Sequence, residues 1–325
     1  MNFKKVKSLL IVSSTVLITS ACTLPGLGDV SSGERESITV AGQVSTEGTI
    51  LTYIVQQMVE HYLDTNAEVI INLGTSSMVH QAMLQEDANI GAAKYTGTSL
   101  TGELGVDAIK DPDEALEVVV EGFDEEFNME WFPTYGFANT YAFMVTQEVA
   151  DEYGFEKISD VADHASELTA GVDSSWLSRE GDGYDGFVEE YGFDFGEIYP
   201  MQIGLVYDAV EAGEMDIVLG YSTDGRIASY DLVVLEDDLN FFPPYDTSPV
   251  ANFEVLDDYP ELENILLKLE GQISPEQMQE LNYIADDMLI EPAIVAETFL
   301  EANNYFEDLE PHVEVQGGQN NGIDN

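Results

Sequence analysis

The chain has 325 residues, 44% of them apolar and 10% aromatic, enough to bury a sizeable interior and to build two lobes rather than one. Its 63 Asp and Glu stand against 10 Lys and Arg, a formal charge of −53 at pH 7. The acids are interleaved with apolar residues, which excludes a disordered acidic tail, and so negative a surface repels nucleic acid and anionic headgroups. Such a surface also repels itself at low salt and points to a saline medium, where charges are screened over about 3 Å at 1 M.

The first residues combine Lys4, Lys5 and Lys7, an apolar run from Leu9 to Ile18, and Thr19-Ser20-Ala21 ahead of Cys22. That is the layout of a secretory leader over 1–21. Its end resembles a bacterial lipoprotein processing site, with Thr19 where leucine is usual. The apolar run is shorter than the ~20 residues a span needs. With no second cysteine there is no disulfide framework, and Cys22 is read as the carrier of a lipid anchor outside the membrane. Without the leader, 7 basic residues face 63 acids, a balance of −56. Any membrane-spanning partner must then be a separate chain.

Residues 22–36 are small and polar and read as a tether. Ile38 to Ala41 predicts a strand. Gln43-Val44-Ser45-Thr46-Glu47 leads into a helix whose apolar stripe is Ile50, Leu51, Ile54, Val55, Met58, Val59 and Tyr62, capped by Ser45 or Thr46. Glu68 to Leu73 predicts a second strand, and Gly74-Thr75-Ser76-Ser77 turns into a helix ending at Leu84. Ile90 to Ala93 predicts a buried third strand running into Tyr95, followed by a Gly/Thr turn over 96–102. This β-α-β-α-β order argues a parallel sheet with helical crossovers.

A helix from Asp111 to about Phe127 is expected to bury Leu116, Val119 and Val120. Asn139 to Val145 reads as a strand that begins a second α/β set. That set holds helices near 147–153 and 159–165, a strand at 168–172, and a Gly/Tyr/Asp loop at 181–186. Tyr199 to Gln202 reads as a lead-in to a helix at 205–212, followed by strands at 216–219 and 232–235. The loop Asn240 to Asp246 is stiffened by Pro243 and Pro244. Helices at 274–288 and 292–303 close the fold. Two lobes with two crossings follow: 37–142 with 243–310, and 143–242. Residues 311–325 are polar and frayed. The cleft between the lobes is the default ligand site.

Catalytic signatures are missing. His61, His80, His164 and His312 have no metal-ligand spacing, and there is no phosphate loop with a lysine and no nucleophile elbow. His61 and His80 read as surface or structural residues, Arg226 as a structural ion-pair partner, and Trp176 as core. Neither a cofactor nor catalysis is expected. A hydrolase with an unmarked carboxylate pair and a purely structural surface lipoprotein are the rival classes. The tyrosines say more: Tyr95 and Tyr221 both end small apolar strands, Tyr141 sits at a lobe crossing, and Tyr245 stands on the proline-stiffened loop. Aromatic faces attract a quaternary ammonium ion, which has no N–H to donate.

The runs Gly42-Gln43, Lys94 to Thr98, Tyr135 to Phe143, Tyr199 to Val210, Tyr221 to Ile227 and Phe241 to Tyr245 resemble the glycine betaine/carnitine/choline-binding lipoproteins of Gram-positive osmoprotectant ABC importers, over Ile38 to Phe306. The resemblance implies an α/β, two-lobed, type II periplasmic-binding-protein fold with ligand in the cleft. It implies that Tyr95, Tyr141, Tyr221 and Tyr245 cage a trimethylammonium head. Gln43, Thr98 and Asn139 would hydrogen-bond the ligand's carboxylate or hydroxyl end. Choline-restricted relatives resemble this chain with Asp in place of Thr98, so Thr98 favours a broad-specificity receptor over a choline-restricted or polyamine one. The implied partners are an ABC permease and, through it, a cytoplasmic ATPase, with the binding protein a monomer anchored at the extracellular face through Cys22.

Overall fold

The computed structural model describes residues 37–307 apart from 64 and 179–181. The leader, Cys22, the tether, His312 and the 311–325 tail lie outside the described residues. In chain order the elements are β1 (Ile38–Gln43), α1 (Thr46–Leu63), β2 (Ala67–Leu73), α2 (Ser76–Leu84), β3 (Ile90–Tyr95), α3 (Thr96–Gly102), α4 (Pro112–Phe127) and β4 (Met129–Trp131). Then come β5 (Tyr141–Thr146), α5 (Gln147–Tyr153), β6 (Thr169–Asp173), α6 (Tyr184–Tyr191), β7 (Glu197–Met201), α7 (Val206–Glu211), β8 (Ile217–Tyr221), α8 (Gly225–Ser229) and β9 (Leu232–Val234). The chain closes with β10 (Thr247–Asn252), α9 (Phe253–Asp258), α10 (Glu261–Leu267), α11 (Pro275–Asp286) and α12 (Pro292–Ala302).

Among the described residues two five-stranded sheets result, ordered β2-β1-β3-β10-β4 and β7-β6-β8-β5-β9. Each has three parallel strands and a fourth, β10 or β5, lying antiparallel beside them. That fourth strand is the first one built after the chain crosses from the other sheet. Each sheet is therefore mixed rather than parallel throughout. Both faces of the first sheet are covered, with α1, α10, α11 and α12 on one side and α2 and α4 on the other. The second sheet likewise has a core on each face. One of these is strongly aromatic and includes Phe143, Trp176, Phe187 and Phe242, so Trp176 is core, as its sequence context predicts.

Local rules explain most element boundaries. The α1 stripe from Ile50 to Val59 is fully buried, and Ser45 Oγ accepts the Gly48 N–H at 3.1 Å, as an N-terminal cap does. Thr75 does the same for α2 by accepting the Met78 N–H.

Several expectations need correction. The segment after Tyr95 is a helix, not a turn. The Thr96 and Gly97 N–H groups donate to Asp246 O and Pro244 O at 3.1 and 3.0 Å. A neighbouring chain segment thus satisfies first-turn donors that an isolated helix leaves orphaned. On α4 the buried residues are Ala115, Val119 and Phe123, while Val120 is exposed. The expected helix at 159–165 is two short 3-10 turns, the first tightened by the Asp160 carboxylate accepting the Glu156 and Lys157 N–H groups. The 181–186 loop gives way to α6 at Tyr184, drawn in by buried Phe187. Tyr199 to Met201 belongs to β7, where Pro200 is tolerated on an edge strand that, among the described residues, pairs only with β6. The strands β4 and β10 and the helices α8, α9 and α10 went unpredicted. Pro249 makes β10 read as loop, yet β10 is central, and the missing N–H falls at the register shift between Ser248 and Val250.

Candidate functional site

The carboxyl ends of β1, β2, β3 and β8 and the start of antiparallel β5 open on one cavity of about 410 Å³, the position where open α/β sheets collect ligands. Its lining includes all seven residues singled out from sequence: Gln43, Tyr95, Thr98, Asn139, Tyr141, Tyr221 and Tyr245. Ser45, Thr140 and the start of α2 (Gly74, Thr75, Ser76) complete it. In the sequence that last group reads as turn chemistry alone. A helix N-terminus presents N–H groups that suit a negatively charged ligand group.

Each ring is held in place by identifiable contacts. Tyr95 ends β3, is 7% exposed, and donates its hydroxyl to Glu47 Oε1 at 2.7 Å. Tyr141 opens β5, is 6% exposed, and donates to Asp173 Oδ2 at 2.8 Å. Tyr141 and Tyr221 are direct cross-strand partners, with ring centroids 5.3 Å apart at 33°, so the ladder itself sets their spacing. Tyr221 is 40% exposed and forms the open side of the group. The Tyr207 hydroxyl accepts the Tyr221 N–H at 2.7 Å and fixes its backbone. Tyr245 sits on a segment gripped from two sides. Pro244 O accepts the Thr96 hydroxyl and the Gly97 N–H, and Tyr245 O accepts the Asn139 N–H at 3.1 Å. A Cβ on Gly97 would lie 2.7 Å from Pro244 O and 3.2 Å from the Tyr245 ring, so only glycine allows this approach.

The loop after Tyr221 is stitched across the molecule. Ser222 Oγ donates to Ala138 O and accepts the Thr140 N–H. From α11, Gln279 donates to Ser222 O and Asn282 to Thr223 O, at 2.8 and 2.7 Å. Arg226 is a structural residue. It pairs with Asp224 at 2.8 Å, donates to Gly204 O, and lies over the Tyr207 ring at 4.3 Å.

Three acids with buried side chains were not singled out from sequence: Glu47 and Asp173 behind the rings, and Glu103 beyond the cavity wall. Glu47 looks like an ordinary first-turn acid of α1 yet is only 3% exposed. Burial pushes its carboxyl up, opposed by the hydrogen bonds from Tyr95 and Asn139. Burial and then the Glu47 charge raise the Tyr95 phenol well above its ordinary value, so this ring keeps its proton and its neutral face. Asn139 donates one amide hydrogen to Glu47 Oε1 at 3.0 Å. Lys94 is fully buried against Glu103 at 2.6 Å and donates to Ser76 Oγ at 2.9 Å. Burial lowers the Lys94 ammonium, with Glu103 opposing.

Among the described residues no group of His, Cys, Asp and Glu could hold a metal ion. None of their helices is long and apolar enough to cross a membrane. The cavity offers aromatic faces, hydroxyls and amides, a set suited to holding a small polar solute.

Comparison with known proteins agrees. Residues 36–302 match the family described as OpuAC, the substrate binding domain of ABC-type glycine betaine transport systems. The chain is 50% identical over 300 residues to the carnitine transport binding protein OpuCC of Listeria monocytogenes, covering 92% of this chain and 96% of that one. It is 33% identical over 269 residues to the ergothioneine transport permease/ergothioneine binding protein EgtU of Helicobacter pylori, covering 82% of this chain and 48% of that one. A solved glycine betaine/carnitine/choline ABC transporter structure superposes with a TM-score of 0.82 at 49% identity, over 83% of this chain and all of that one. The chain therefore belongs to the substrate-binding domains of ABC-type glycine betaine transport systems, with their two-lobed α/β fold, and is a binding protein of an importer rather than an enzyme.

Proposed function

We propose that this protein captures quaternary-ammonium compatible solutes, glycine betaine, carnitine and choline among them, between the rings of Tyr95, Tyr141, Tyr221 and Tyr245. The observation that carries this reading is the convergence on one cavity of three tyrosines from the two sheets and a fourth from the loop before β10, beside Gln43, Thr98 and Asn139. Each good ring contact with a trimethylammonium group contributes about 0.5 to 2 kcal/mol. Tyr95 and Tyr141 have their hydroxyls engaged by acids behind them and line the cavity with ring surface. The carboxylate or hydroxyl end lies toward Gln43, Thr98 and Asn139.

The two lobes, 37–142 with 243–310 and 143–242, close on the solute and deliver it to a separate permease driven by a cytoplasmic ATPase. The protein works as a monomer outside the cytoplasmic membrane, held there by lipid on Cys22 once the 1–21 leader is removed, with 22–36 as tether and 311–325 as a free tail. The 50% identity to a carnitine transport binding protein supports the ligand class.

Calorimetry with glycine betaine, carnitine, choline, ergothioneine and spermidine tests the reading. Binding of several trimethylammonium ligands is expected, and binding of spermidine alone would end it. Thr98→Asp sets a carboxylate beside a betaine carboxylate and should weaken betaine binding about tenfold or more beyond any effect on choline. Equal loss for both would show that Thr98 does not meet the polar end.

A further inference from the structure

Glu47 stands in the first turn of α1, where an acid is ordinarily exposed and serves the helix dipole. Ser45 already caps this helix through the Gly48 N–H, so the helix does not depend on Glu47. Burying a carboxyl is costly unless it is hydrogen-bonded, and this one is bonded to two pocket residues that arrive from different elements. Its Oε1 accepts the Tyr95 hydroxyl at 2.7 Å and the Asn139 amide at 3.0 Å. Tyr95 ends β3, whereas Asn139 lies in the segment that leaves the first sheet for the second. The side chains of Thr223, in the loop behind Tyr221, and Asn282, on α11, also favour the charged form of this carboxyl.

We infer that Glu47 is a positioning residue of the binding site: one buried carboxylate oxygen pins the far end of the Tyr95 ring axis and the Asn139 amide together. The strand fixes only the root of Tyr95, and the phenol end, where a small swing displaces the whole ring face, is fixed by Glu47. The same oxygen ties that ring to the inter-sheet segment, so the cage wall and the crossing keep one geometry. This inference rests on the function proposed above and deepens it by naming a residue that acts through Tyr95 and Asn139 without needing to touch ligand.

The test compares the full chain with its E47Q, E47A, E47D and Y95F variants, measuring glycine betaine and choline affinity by calorimetry and fold by near-ultraviolet circular dichroism. Glutamine keeps an oxygen acceptor and should bind within about threefold of the parent, whereas alanine should lose about thirtyfold. Y95F should weaken binding in the parent and add nothing in the E47A background, since coupled residues are not additive. E47A that folds and binds like the parent overturns the inference. If E47A does not fold, E47D, which withdraws the carboxylate by one methylene, should bind about tenfold more weakly, and unchanged binding there overturns it equally. A merely structural role would lower thermal stability while leaving the affinity of folded protein unchanged, which also overturns it. A parent chain that binds no trimethylammonium ligand refutes the proposed function itself, and this outcome is distinct from a binding parent with an indifferent E47A.

Discussion

His80 illustrates how burial sets a residue's chemistry. It sits on α2, is 3% exposed, and meets the rings of Phe123 and Phe127 at 5.4 and 4.4 Å. Among the described residues its Nδ1 has no hydrogen-bond partner. Burial, and then the Lys94 charge, lower its pKa to about 4, with Glu103 opposing. The folded state therefore binds fewer protons than the unfolded state, whose imidazole titrates near 6.5. The stability this neutral ring brings is present above about pH 6.5 and is lost as pH falls toward about 4. Between about pH 7.5 and about pH 4.5, wild-type stability should fall by about 2 kcal/mol more than that of His80→Leu, which cannot titrate there. Denaturant unfolding at several pH values checks this, and parallel pH profiles would refute it. Sequence placed His80 on a helix as a surface or satisfied structural residue, but neither its aromatic surroundings nor its unpartnered nitrogen was legible, because Phe123 and Phe127 lie on another helix. Glu47 was hidden for the same reason: nothing local marks a first-turn acid as buried.

At the scale of elements, the site depends on how closely α3 approaches the segment before β10. Gly97 leaves room for Pro244 O and the Tyr245 ring. Gly97→Ala should push that segment away, costing about 1 to 2 kcal/mol of stability through overpacking and about tenfold in ligand affinity through the displaced ring. Thermal unfolding and calorimetry measure the two effects, and full affinity in this variant would show that Tyr245 does not depend on the contact. Periodicity read α1, α2, β3 and the parallel β1–β3 set correctly, since apolar spacing governs them. It missed β10 because Pro249 argues against a central strand, and pairing on both sides overrides that preference. The turn expected over 96–102 became α3 for a kindred reason: the donors of its first turn are satisfied by Pro244 and Asp246, from a distant part of the chain.

For the whole molecule, 63 acids against 10 bases set the electrostatics. Crowding is visible at Glu130, where burial and then the charges of Glu263 and Asp124 raise the carboxyl to about 7. An acid raised in this way contributes stability below its unfolded value and loses it as pH rises through about 7. Screening should relieve such repulsion, so the melting temperature is expected to rise from low to molar salt. A melting temperature that does not move with salt would remove the saline reading. The charge balance, the helical and strand periodicities and the tyrosines at strand ends were determined by the sequence alone, because each follows from local spacing or from a simple count. Only the tertiary structure decided that Tyr95, Tyr141, Tyr221 and Tyr245 share one cavity, that Pro249 lies in a central strand, and that Glu47 is buried behind the Tyr95 ring, because each depends on contacts between residues far apart in the chain.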